Sequence, residues 1–116
     1  MIDKIENIEV DGIKYPMTFN LNVTEQIQEE YKTITHWSEL ISKENGNEPN
    51  VKALKFGIGA MINEAIDIEN EKLTEKRELL TDKQIGRLIT RFGTAEISAK
   101  AKETIINSTK IESKNE

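Results

Sequence analysis

The apolar positions of this chain follow two rhythms, a period of two near the N-terminus and a period between three and four thereafter. Asp11-Gly12 tolerates the positive φ angles of a two-residue type I′ turn, which sets Val10 opposite Ile13, Glu9 opposite Lys14 and Ile8 opposite Tyr15. Glu9 and Lys14 then form an opposite-charge pair on one face, while Ile8 and Tyr15 share the apolar one. After the turn Ile13, Tyr15, Met17, Phe19 and Leu21 alternate with polar residues, as a half-buried strand requires. Pro16 has no N–H to donate, so its side of the strand is expected to be an edge or a bulge.

Helical spacing takes over at Asn22, which with Glu25 predicts a capping-box-like start. Val23, Ile27, Tyr31 and Ile34 make one apolar stripe, and Ile34, Trp37 and Ile41 make a second, with a break expected at Thr33-Ile34-Thr35. Residues Glu44 to Asn50 read as a loop, with Pro49 suited to the opening of the next helix. That next helix is expected to be central. Val51, Leu54, Ile58, Met61, Ile62 and Ala65 form a broad stripe, whereas Phe56 and Ala60 lie roughly on the other side, so it needs cover twice, from its own domain or from another molecule. Gly57 and Gly59 each cost about 1 kcal/mol in a helix interior relative to Ala, which points to close backbone approach. The charge run Asp67 to Glu78 either extends this helix or forms a surface loop. Farther on, Thr81 and Gln84 make a capping box, Ile85, Leu88, Ile89 and Phe92 the stripe, and Gly93 the stop. Thr94 is suited to cap a last helix, with Ile97, Ala101 and Ile105, running to about Asn107. The predicted fold is therefore α+β and mainly α: an N-terminal β-hairpin followed by about five helices around a central helix. One domain spans residues 1–107, and the polar residues 108–116 are expected to be a disordered tail.

The order of VDGIKYPMTFN, a helix with EQIQEEY and a Trp-containing helix resembles the tail assembly chaperones of long-tailed bacteriophages (siphoviruses) and Gram-positive prophages. The likeness extends over Ala53 to Asn70 and Leu80 to Ile89, and so covers most of the chain. The resemblance implies a small non-enzymatic protein that binds the long helical tape measure protein, keeps it soluble and helps the tail tube polymerise around it. It also implies a frameshifted longer form that could reach the tail tube protein, with this chain as the short product. It places the protein in the host bacterial cytoplasm and leaves it out of the mature virion. Coating a long client calls for self-association, with Ile13 and Tyr15 of the hairpin and Phe56 and Ala60 of the central helix as the candidate partner-binding residues.

Composition narrows the alternatives. At 116 residues the chain is expected to form one small domain whose stability would benefit from oligomerisation. With no cysteine it can form neither disulfides nor thiolate metal sites. Asp3, Lys4 and Glu6 interrupt the first isoleucines and no apolar run approaches membrane-spanning length, so an unsecreted protein with no membrane partner is expected. The net charge is −5, unevenly spread: residues 1–80 carry nine basic and sixteen acidic groups, residues 81–110 six basic and three acidic. An acidic body disfavours a phosphate-backbone partner, but the basic C-terminal pair of helices keeps one nucleic-acid alternative in view.

Neither a catalytic site, a cofactor nor a metal is expected. Gly57 and Gly59 lack the third glycine and the preceding strand of a dinucleotide loop. Asp67, Glu69 and Glu71 have Lys72 where a calcium loop needs glycine. His36, the single histidine, has no nearby nucleophile and reads as a partly exposed packing residue beside Trp37. The alternative function is a small helix-turn-helix-like DNA-binding regulator, with Lys83, Arg87, Arg91, Lys100 and Lys102 against phosphates. Ile89 departs from that pattern, standing where a small residue usually lets the two helices cross.

Overall fold

A computed structural model of the chain describes residues 4–42 and 48–114, with side chains as far as Thr109. Strands β1 (Glu6–Val10) and β2 (Ile13–Met17) form an antiparallel hairpin, followed by helices α1 (Leu21–Tyr31), α2 (Ile34–Ile41), α3 (Val51–Asn70), α4 (Asp82–Phe92) and α5 (Thr94–Lys114). The hairpin register is the one its turn dictates: Val10 pairs with Ile13, Glu9 with Lys14 and Ile8 with Tyr15. Asp11 and Gly12 take φ values of 53° and 79°, as a type I′ turn demands.

The predicted strand ends early. Thr18 leaves the ladder by donating its backbone N–H to the Met61 carbonyl of α3 (3.2 Å) and its hydroxyl to the Lys4 carbonyl (2.9 Å). Beyond that point the alternation expected to reach Leu21 is lost. Phe19 is buried, but Leu21 opens α1 and is 71% exposed, and at the turn Ile13 is 54% exposed. The expected cap at Asn22 is also two residues out. Asn20 caps α1 by accepting the Val23 N–H on Oδ1 (3.1 Å), because the helix already begins at Leu21 and Asn22 lies inside its first turn; both asparagines donate Nδ2–H to the Glu64 carboxylate (2.8 and 2.9 Å).

The break between the first two helices falls as expected. Lys32 ends α1 at φ 72°, and the Thr33 hydroxyl caps α2 by accepting from the His36 N–H. His36, expected to be partly exposed beside Trp37, is exposed. Part of the predicted 44–50 loop lies outside the described residues; its last residue, Asn50, caps α3, so Pro49 precedes the cap instead of opening the helix. Helix α3 is the centre of the molecule, packed by β2, α1, α2, α4 and α5. It takes in the first part of the charge run, and the rest becomes the connection to α4.

Trp37 explains one of the two glycines of α3. Its indole is fully buried and donates Nε1–H to the Ala53 carbonyl (2.8 Å), and a Cβ added to Gly57 would lie 2.0 Å from its Cζ2. Gly59 is different, since a Cβ there would meet only Ile85 Cγ1 at 3.6 Å, an ordinary contact. Close approach therefore accounts for Gly57 alone.

At the other end of the chain Thr81 and Gln84 form the predicted capping box of α4, and Gly93 at φ 111° ends it. Thr94 is not the cap of α5 but its first residue, with the Ile97 N–H donating to the Gly93 carbonyl (2.9 Å). Helix α5 continues to Lys114, through most of the segment expected to be a disordered tail. The reason is visible in its buried stripe, where Thr104 and Ser108 follow Ile97 and Ala101. Ser108 donates its hydroxyl to the Phe19 carbonyl (2.9 Å).

Helix α5 is also tied to β1 through Glu6, whose side chain is 11% exposed. Lys100 Nζ lies 3.0 Å from its carboxylate, and Thr104 and Asn107 donate to it at 3.1 and 2.9 Å. Burial acts to raise the Glu6 carboxyl. The hydrogen bonds from Asn107, Lys100 and Thr104, with the charge of Lys100, outweigh it and hold the pKa below the ordinary 4.5.

Two stability predictions follow from these contacts. Gly57→Ala forces the buried indole to move and is expected to destabilise by about 1–3 kcal/mol or more. Gly59→Ala removes a helix-interior glycine without a clash and is expected to stabilise by roughly 0.5–1 kcal/mol. Denaturant midpoints of the two variants would separate them, and equal shifts would refute the Trp37 contact.

The Glu6 prediction concerns pH. A carboxyl whose folded pKa lies below its unfolded value contributes stability above the unfolded pKa, and that stability is lost as pH falls through the folded value. Glu6→Gln is therefore expected to be less stable than the parent near neutral pH, with the gap closing as pH falls below 4.5. Unfolding curves at several pH values test this; a gap that does not change with pH would exclude the ion pair as its source.

Candidate docking grooves

Two shallow grooves meet at Leu80, the residue just before the cap of α4. The first, about 360 Å³, lies between α1, α3 and the start of α4 and is lined by Phe56, Gly59, Ala60, Asn63, Leu79, Leu80 and Ile85. The second, about 340 Å³, lies between the hairpin and α4, with Val10, Ile13, Tyr15, Leu80, Leu88, Arg87 and Arg91 in its walls. The four residues predicted to bind partners thus fall into two pairs: Phe56 with Ala60 in the first groove, Ile13 with Tyr15 in the second.

Their exposures differ. Phe56 is half-buried and its ring meets Tyr31 edge-on, with centroids 5.6 Å apart and planes at 71°, so the seam between α1 and α3 already covers part of it. Burial and the neighbouring Glu30 carboxylate push the Tyr31 phenol up. Ala60 is buried at the floor. What remains accessible is chiefly Leu79, 46% exposed, on the rim of the first groove, and Ile13 on the second.

The connection that carries Leu79 and Leu80 is held by a device that sequence patterning did not foresee. Asn63 and Asn70 sit two turns apart on α3, and each offers its side-chain amide to one residue of the connection as a strand backbone would. Asn63 donates Nδ2–H to the Leu80 carbonyl (3.0 Å) and accepts the Leu80 N–H (2.8 Å). Asn70 does the same with Arg77, at 2.9 Å in both directions. Lys76 adds a bond from Nζ to the Asn70 carbonyl (2.7 Å). The seven-residue spacing of the two asparagines, two turns apart on α3, was the available signal.

The charged side chains nearby are mostly engaged in structure. Lys55 and Asp82 close one end of the first groove as an ion pair at 2.7 Å. Glu64 and Asp67, which also line the first groove, form with Glu71 an adjoining acidic depression of about 630 Å³, where the Glu64 carboxylate accepts from the Asn20 and Asn22 amides. Among the described residues no group of three or more histidine, aspartate and glutamate side chains could hold a metal ion. Among those residues, too, no helix is long and apolar enough to cross a membrane.

Removing an asparagine leaves a backbone donor and acceptor of the connection without partners. Asn63→Ala and Asn70→Ala are each expected to destabilise by about 1–3 kcal/mol. The Leu80 amide should exchange faster in the first variant and the Arg77 amide in the second. Unchanged exchange at both amides would show that the connection is held by other contacts.

No protein-family model, no curated protein and no solved structure matches this chain.

Proposed function

We propose that this protein is a tail assembly chaperone of a long-tailed phage or prophage, a non-enzymatic binder that keeps the helical tape measure protein soluble while the tail tube assembles. The observation that carries the proposal is the pair of adjoining grooves at Leu80, with Leu79 and Ile13 exposed at their rims. A long amphipathic helix needs its apolar stripe covered to remain soluble, and side-by-side grooves floored by apolar side chains suit such a client. The resemblance of the hairpin, the α1 and α2 segments and the Ala53–Asn70 stretch to that family names the client. Self-association along the client, a longer form that reaches the tail tube protein, and residence in the host cytoplasm belong to the same proposal.

The DNA-binding alternative draws less support from the placement of its cations. Lys100 is spent on Glu6 and Lys102 donates to the Ser42 hydroxyl. Gly93 alone joins α4 to the 21-residue α5, where a helix-turn-helix uses a turn of three or four residues.

Co-expression with tape measure fragments, with recovery of soluble client as the readout, tests the proposal. Leu79→Glu should reduce recovery about tenfold while leaving the melting temperature close to the parent's, since surface changes are usually within about 0.5 kcal/mol. Phe56→Glu should reduce recovery as strongly and also lower stability by about 1–3 kcal/mol through loss of the Tyr31 contact. Undiminished recovery with Leu79→Glu would remove the first groove from the client site, and no recovery with the parent chain would remove the function.

A further inference from the structure

We propose that the groove between the hairpin and α4 receives an acidic amphipathic helix of a protein partner, its apolar stripe on Ile13, Tyr15 and Leu80 and its carboxylates on Arg87 and Arg91. The inference deepens the client-binding proposal and takes from it only that the partner is helical.

Charge is the first ground. Lys83, Arg87 and Arg91 follow one another every four residues along α4, and all three are exposed. The one acid of the helix, Asp82, is held away by Lys55 at 2.7 Å. Among the described residues Lys83 and Arg87 have no ion pair. This basic stripe stands out on a chain of net charge −5, so it is complementary to a partner with the opposite sign.

The second ground is that a carboxylate already sits there. Asp11 at the hairpin turn lies 3.6 Å from Arg91 Nε, with both side chains largely exposed, 70% and 58%. At that distance and exposure the pair is weak, and an incoming carboxylate can replace Asp11 at little cost. Residues four apart on a helix rise by about 6 Å, so a row of glutamates at the same spacing on a partner helix matches the row of arginines.

The third ground is the floor. Above the buried Leu88, the partly exposed Leu80 and Tyr15 and the exposed Ile13 put apolar surface beside the arginines, which calls for a ligand with an apolar side as well as a charged one. A nucleic-acid backbone satisfies only the charges, and three cations on an acidic protein give it a short footprint. Helix-in-groove docking with arginines reading acidic side chains satisfies both.

The test uses the full chain and a labelled synthetic peptide of about 18 residues, long enough to hold a helix, with leucines at i, i+3, i+4 and i+7 and flanking glutamates. Binding is followed by anisotropy and mapped by amide chemical shifts. The expected result is saturable binding that shifts Ile13, Tyr15 and Leu80. It should weaken about tenfold for Arg87→Glu, for a glutamine version of the peptide, and on raising salt from roughly 0.05 to 0.3 M. Arg87→Gln, a milder change at an exposed position, should fall between parent and Arg87→Glu. Equal binding of the glutamine peptide, shifts confined to other surfaces, or displacement of the peptide by duplex DNA at lower concentration than by unlabelled peptide would overturn the proposal. If tape measure fragments are recovered equally by the parent and Arg87→Glu and the acidic peptide does not bind, this site fails and the client function stands. If the peptide binds as expected but no fragment is recovered, the client function fails and the site stands.

Discussion

The fit of the Trp37 indole into the space left by Gly57 sets the distance between α2 and α3, and other elements take their places from it. With no Cβ in the way, the ring lies flat enough on α3 for its N–H to reach the Ala53 carbonyl, so the largest side chain of the core is buried with its one polar atom satisfied. Helix α3 can then be apolar over most of its circumference, because α2 closes one side while β2, α1 and α4 close the others. A bulkier residue at 57 would push α2 outward and open the seam on which Ile41 and Leu54 depend.

Around this centre, short polar side chains replace backbone partners where the chain is irregular. Asn20, Thr33, Asn50 and Thr81 cap four of the helices, and Asn63 and Asn70 hold the connection between α3 and α4. The connection has little apolar burial of its own, so its position, and with it the position of Leu79 and Leu80 at the grooves, depends on directional bonds. Among the described residues no buried side-chain nitrogen or oxygen lacks a partner, which shows how fully this polar scaffold is satisfied.

Much of the architecture was legible because it rests on local rules. The Asp11-Gly12 turn fixes the hairpin register, Thr81 with Gln84 marks the start of α4, Gly93 its end, and the β-branched run at Thr33 the break between α1 and α2. What escaped were features decided by partners far away in sequence. The strand alternation stopped at Met17 because α3 takes the Thr18 N–H, and with the strand cut short α1 begins at Leu21, which makes Asn20 the cap. The length of α5 was hidden because its buried stripe turns from isoleucine and alanine to Thr104 and Ser108, residues that read as exposed unless their hydrogen-bond partners are known. The same holds for the candidate site. Patterning picked out Phe56, Ala60, Ile13 and Tyr15 as apolar residues, but not the division into two grooves, which depends on where Asn63 fixes Leu80.

The cluster around Glu6 bears on how the chain is made. Glu6 and Asn107 are 101 residues apart, so on the ribosome the hairpin emerges long before the side chains that neutralise and cover its carboxylate. During that interval the hairpin can form its turn and ladder but cannot complete its seat, and Phe19 likewise waits for Ser108. Contacts of such long range close slowly because most of the chain must first be arranged around them. Final locking of the N-terminal strand is thereby coupled to completion of α5, and a nascent chain stopped within α5 would expose the base of its hairpin to the quality-control machinery of the cell.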